Sequence, residues 1–200
     1  DGMDTAYKVV LSSCKGFGIL ANIQDLDIYG IRHISAKDIA YACKHGYVCK
    51  LIGSGVKSES SVSGTVIPTF IPKQNIFATI PANFNAIESD SKTLGKMTYV
   101  GQGAGSYPTA HAVVQDLIDL VLHQDIEVSS GVSVCVDNKL RVSSFYVRSI
   151  NLNRIGEVIE ERVDKDTCII KRMSFVELAS VMKTLEDDAV FVAEVMHDCK

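Results

Sequence analysis

The chain has 200 residues, 46% hydrophobic and 22% charged, with a formal net charge of −4. That fits one large or two small soluble domains; the charge leaves no basic footprint for nucleic acid or an anionic membrane, and no apolar run approaches the roughly 18–20 residues that span a bilayer. Six cysteines at irregular spacing, without Cys-x-x-Cys, read as reduced thiols of a cytoplasmic protein, and five scattered histidines give no zinc-ligand pattern.

In chain order, Met3, Ala6, Val10 and Cys14 lie at helical spacing, so a helix is predicted over 3–15, with Gly16 and Gly18 as the stop. Residues 27–31 read as a short strand. Ser35-Ala36-Lys37-Asp38 forms a capping box that opens a helix ending near Gly46. Residues 47–52, 66–71 and 76–80 read as strands, with Pro68, Pro72 and Pro81 at edges or ends. The polar stretch 88–97 reads as a turn. A Gly-rich run leads into a helix over 108–122, apolar nearly all round and suited to burial against another domain. Residues 123–141 read as a linker with one strand at 132–136. The tail reads β-α-β-α-β: a strand at 145–148, a helix capped by Asn153, a strand at 167–171, a helix opened by the capping box Ser174 to Glu177, and a strand at 189–196.

Few residues in these elements point to chemistry. Asp4 and Lys8 share one helix face; the pair is either a surface ion pair or a lysine held beside a carboxylate to move a proton at an oxygen. Gly101-x-Gly103-Ala104-Gly105 before a helix is either a hinged loop or a seat for a cofactor phosphate. It is neither a Rossmann fingerprint nor a P-loop. No metal site and no Ser or Cys nucleophile motif is found.

A series of segments resembles one family. Gly2-Met3-Asp4-Thr5-Ala6-Tyr7-Lys8 resembles the Gly-x-Asp-x-Ala-x-Lys helix start of homoserine dehydrogenases. Ile28-Tyr29-Gly30-Ile31, Gly46-Tyr47-Val48-Cys49-Lys50-Leu51, Asn85-Ala86-Ile87 and the run from Gly101 to Leu117 are similar to later segments of that family, in order, over residues 1–120. Ser91-Lys92 and Gln102 depart from its usual Gly-Asp and Pro. The resemblance implies an α+β fold, a mixed β-sheet with helices on one face, over 1–124. A linker at 125–141 and a small ACT-like α+β module at 142–200 follow.

The implied activity is the NAD- or NADP-dependent interconversion of L-homoserine and L-aspartate 4-semialdehyde, in threonine and methionine biosynthesis. The resemblance places Lys8, as a buried lysine, at the reacting oxygen, with Asp4 beside it at the substrate. Gly103, Ala104 and Gly105 would lie near the cofactor. It also implies a homo-oligomer, a dimer or larger, and a nucleotide-binding domain upstream, so that the chain reads as a piece of a longer protein, inactive alone. Two rivals remain: a non-catalytic regulatory or oligomerisation module, and a dehydrogenase of another small hydroxy acid.

Overall fold

The structure is a computed structural model that describes residues 1–122, 132–133 and 135–197. In chain order its elements are α1 (Met3–Phe17), β1 (Ile19–Leu20), β2 (Asp27–Ile28), α2 (Ala36–Lys44), β3 (Tyr47–Lys57), β4 (Ser61–Pro72), α3 (Ile76–Thr79), β5 (Phe84–Ser91) and β6 (Gly95–Gln102). There follow α4 (Ser106–Val121), β7 (Val132–Ser133), β8 (Cys135–Val136), β9 (Val142–Arg148), β10 (Ile159–Arg162), β11 (Thr167–Ser174), α5 (Phe175–Leu185) and β12 (Phe191–Val195). They fall into two compact units, Asp1–Lys73 with Ser129–Lys200, and Gln74–Val128.

The first unit is built on β4. β3 pairs antiparallel along its whole length, from Tyr47 opposite Pro72 to Lys57 opposite Val62. Its other side takes three short parallel partners in turn: β8 at Ser61 and Val62, β2 at Thr65 and Val66, and β12 at Thr69 and Phe70. β12 carries the sheet on through β9, β11 and β10, all antiparallel. β1 and β7 form a separate parallel pair.

Side-chain alternation along β4 assigns the layers. Val66 and Phe70 face α1 and α2: Val66 packs with Ala6, Val9 and Leu26, and Phe70 with Ala42, Tyr146 and Phe191. Ile67 faces the opposite way, into a core with Phe145, Val147, Phe175, Leu178 and Leu185. The sheet is therefore mixed, with α1 and α2 on one face as expected, and α5 of the C-terminal part on the other.

β3 and β4 run well beyond the expected 47–52 and 66–71. Gly53-Ser54-Gly55 breaks the strand pattern, yet these glycines are what α1 docks on. A Cβ on Gly53 would sit 2.5 Å from Val9 Cγ2 and 2.9 Å from Thr5 Cγ2, and one on Gly55 2.7 Å from Ser13 Oγ. Gly53→Val is expected to push α1 away and lower stability by about 1–3 kcal/mol, read as a lower urea midpoint at unchanged slope.

Residues 142–197 share one sheet with residues 27–28 and 47–72, since β12 bonds to both β9 and β4. The predicted helix after Asn153 is instead a 3-10 segment, Leu152–Val158, followed by β10. The order is thus β9, 3-10, β10, β11, α5, β12, with strands laid out β10-β11-β9-β12. That is the βαββαβ order of a ferredoxin-like sheet. Ile155, Val158, Ile159 and Val163 lie at helical spacing, but only Ile159 enters β10, where pairing with β11 decides for a strand.

The second unit holds two further corrections. Of residues 76–80, Ile76–Thr79 form the short helix α3, capped by Asn75, whose Oδ1 accepts from Phe77 N at 2.9 Å. Residues 88–97 belong to the β5–β6 hairpin, with Ser91 opposite Gly95 and Gly95 at φ 66° closing the turn. Of the expected linker and its strand at 132–136, residues 123–131 and 134 lie outside the described residues.

Candidate functional site

α1 carries the candidate catalytic pair. Gly2 opens the helix at φ 89°, where a Cβ would come within 3.0 Å of Ile28 Cγ2. Glycine thus lets the helix start lie tight against β2. The helix runs through Gly16 and closes at Gly18 (φ 65°), whose amide donates to Cys14 O. Ala6, Val9 and Ser13 face the sheet, while Asp4, Tyr7, Lys8 and Leu11 are exposed.

Lys8 Nζ lies 2.9 Å from Asp4 Oδ2, so the predicted pair forms. The lysine side chain is 54% exposed and the carboxylate 84%. The resemblance implied a buried lysine; the described residues of this chain leave more than half of it open. The ion pair contributes only about 0–1 kcal/mol to stability in this setting, which leaves the ammonium free to make a second interaction. Beside the helix start, Arg32 donates to both Asp1 carboxylate oxygens, at 2.8 Å from Nε and 2.5 Å from Nη2. Sequence reasoning missed this fork; a residue separation of 31 leaves no local signal.

In the second unit the loop Gly103, Ala104 and Gly105 is exposed and latched by Asn83. Gly103 N donates to Asn83 O at 2.9 Å, and Asn83 Nδ2 donates to Ala104 O at 3.0 Å. A Cβ on Gly103 would fall 1.9 Å from Asn85 Nδ2, so any larger residue there must displace the Asn85 amide. Gly105, at φ 132°, N-caps α4 without a side-chain cap, which leaves the first turn's N–H groups open to an acceptor from outside. The glycines were legible in the sequence, and Asn85 lay within the family-like segment; Asn83 was not singled out.

No group of His, Cys, Asp and Glu among the described residues is placed to hold a metal. Cys14, Cys43, Cys49 and Cys168 are free, and burial pushes the Cys49 and Cys168 thiols up to about 11, which makes them poor nucleophiles. No described helix is long and apolar enough to cross a membrane. α4 has no buried residue, and a shallow apolar depression of about 290 Å³ runs along Val114, Leu117, Ile118, Val121 and Leu122.

The homoserine dehydrogenase family profile matches residues 1–118. Among curated relatives, the homoserine dehydrogenase of Bacillus subtilis is 31% identical over 131 residues, covering 66% of this chain and 30% of its own length. That of Synechocystis sp. is 37% identical over 125 residues, 60% of this chain and 29% of the relative. The chain thus spans less than a third of these relatives. A homoserine dehydrogenase from Thiobacillus denitrificans superposes with a TM-score of 0.75 at 24% identity, over 98% of this chain and 53% of that one. The S. aureus homoserine dehydrogenase at pH 6.0 gives 0.68 at 26% identity, over 100% and 54%.

Proposed function

The chain belongs to the homoserine dehydrogenase family, and on that premise we propose that it is the substrate-handling part of an enzyme that interconverts L-homoserine and L-aspartate 4-semialdehyde. The observation that carries this reading is the Lys8–Asp4 pair at 2.9 Å on the exposed face of α1, within the segment matched to the family.

Lys8 is the group at the substrate's hydroxyl oxygen. Its ammonium donates a hydrogen bond to that oxygen, steadies the alkoxide as the proton leaves, and returns a proton in the reductive direction. Asp4 orients the ammonium and, on the same face, meets the substrate. When bound, NAD or NADP supplies the nicotinamide that takes hydride from the carbinol carbon. The Gly103 to Gly105 loop fits an anionic dinucleotide: it is exposed, its glycines admit close approach, and the start of α4 carries no side-chain cap. The exposed apolar length of α4 suits packing against a nucleotide-binding domain. The 142–200 segment, with its β10-β11-β9-β12 layout, is read as an ACT-like module that serves assembly into a homo-oligomer, and we place 1–124 as the catalytic region.

The test is reduction of NAD and NADP by the full-length gene product with L-homoserine, alongside other small hydroxy acids. Preference for L-homoserine supports the reading. Preference for another hydroxy acid moves the substrate, and a folded product inert with all of them leaves a non-catalytic module. Gly103→Ala is expected to raise KM for the dinucleotide on the order of tenfold, about 1.4 kcal/mol, with a smaller change in KM for homoserine.

A further inference from the structure

On the α2 face of the first unit lies a second concavity, of about 340 Å³, which the dehydrogenase reading does not use. One wall is aromatic. Tyr41 stacks on His45 with ring centroids 4.3 Å apart and tilts against Tyr146 at 4.8 Å, and Tyr47 lines the same wall. Ser144, Ile169 and Val195, from three strands of the C-terminal sheet, make the floor. The opposite wall holds two neighbouring carboxylates, Glu160 and Glu161.

Two consecutive strand residues ordinarily point to opposite faces. Here the β10–β11 register slips by one residue between Ile159 and Glu161, so that Ile159 stands opposite Ile170 and Glu161 opposite Ile169. Ile170 belongs to the core on the α5 side and Ile169 packs on the α2 side. The bulge therefore turns Glu161 onto the groove face, and the extra residue, Glu160, lines the groove as well. A bulge re-aims a side chain in this way, and bulges concentrate beside sites.

No Lys or Arg lines the groove, and neither carboxylate has an ion-pair partner among the described residues. The field of Glu161 reaches the aromatic wall: burial chiefly, then Glu161 and Tyr47, raises the Tyr41 hydroxyl above its ordinary range. Aromatic faces and carboxylates both attract a cation, and rings favour an organic one. The volume lies at the small end of ligand sites.

We propose that the groove between α2 and the C-terminal sheet binds a small alkylammonium ion, its charge between Glu160 and Glu161 and its stem along Tyr41 and Tyr47. A zwitterionic α-amino acid is disfavoured, because its carboxylate would enter beside two glutamates with only the imidazoles of His45 and His197, and no Lys or Arg, to meet it. The inference is independent of the dehydrogenase reading, since it is tested by binding alone.

The test is a titration of the chain with n-butylammonium chloride, followed by the methyl resonances of Ile169 and Val195. n-Butanol, sodium chloride and L-norleucine are run in parallel. Saturable shifts at these methyls with n-butylammonium, absent with n-butanol and sodium chloride and at least tenfold weaker with L-norleucine, are expected. The double variant Glu160→Gln with Glu161→Gln, at two exposed positions, should bind n-butylammonium at least tenfold more weakly. Shifts of equal size with n-butanol, unchanged binding by the double variant, or no shift in the wild type would each overturn the proposal.

Discussion

Replacing Lys8 by Ala in the full-length gene product is expected to lower kcat with L-homoserine at least about 100-fold, the lower end for a proton-transferring side chain. The lysine contributes little to the fold. Its side chain is 54% exposed and its ion-pair partner is an exposed carboxylate one turn away. Its removal should leave Tm nearly unchanged, because such a pair adds only about 0–1 kcal/mol. Activity and stability thus separate in this variant. Lys8→Arg keeps the charge and sharpens the test: a guanidinium does not give up its proton near neutrality, so activity should stay low if proton exchange matters and return if a positive charge suffices.

Arg148→Ala should do the opposite, destabilising the first unit by about 3–5 kcal/mol and, for a protein of this size, lowering Tm by roughly 10 °C. Asp38 is fully buried at the start of α2. Its carboxylate accepts from Ser35 N and Oγ, both at 2.7 Å, from Tyr146 OH at 2.8 Å and from Arg148 Nε at 2.9 Å. Arg148 also donates to His33 O at 2.6 Å. One carboxylate thus caps α2 and ties it to β9. Lys37 adds an outer tie to Asp164, at 2.8 Å, and to Asp166. Truncating Arg148 leaves a buried charge without its counter-ion, and that accounts for the size of the loss.

The same network makes the unit acid-sensitive. Burial works to raise the Asp38 carboxyl, but bonds from Arg148, Ser35 and Tyr146 outweigh it and hold the group below its ordinary value. A carboxyl lowered in the folded state contributes its stability fully above the unfolded value, near pH 4. The contribution fades as pH falls through the folded value. The wild type should therefore lose stability below about pH 4, and Arg148→Ala should lose less over that window. Thermal melts across acidic pH check this.

Local chemistry in the sequence was enough for α1, α2 and α5, since glycine stops and capping boxes act within a few residues. The Ser35 and Ser174 boxes both form, with Asp38 and Glu177 closing them. Sequence reasoning failed where tertiary pairing outweighs local preference. The expected strand 47–52 ended before Gly53 and Gly55, yet both sit in β3, where α1 docks on their missing side chains. The hairpin β5–β6 hid behind polar residues, since all but two of β5's positions are exposed and little alternation survives. β10 was read as helix because Ile155, Val158, Ile159 and Val163 lie at helical spacing, and only its pairing with β11 makes it a strand.

The candidate site divides in the same way. Asp4 with Lys8 and the Gly103 to Gly105 loop were legible as spacing and composition. Their meaning came only from the family-like segments around them. Asn83 and the Asp1–Arg32 fork depend on contacts across 21 and 31 residues of chain, for which a single sequence carries no period or motif.

The central claim, that this chain handles the substrate of a homoserine dehydrogenase, is tested most directly by product identity. The full-length gene product would be incubated with L-homoserine and NAD or NADP, the aldehyde trapped, and both products quantified. L-aspartate 4-semialdehyde formed in equal amount to reduced dinucleotide is the expected result. A folded gene product that forms neither, or that reduces the dinucleotide without that aldehyde, would contradict the account.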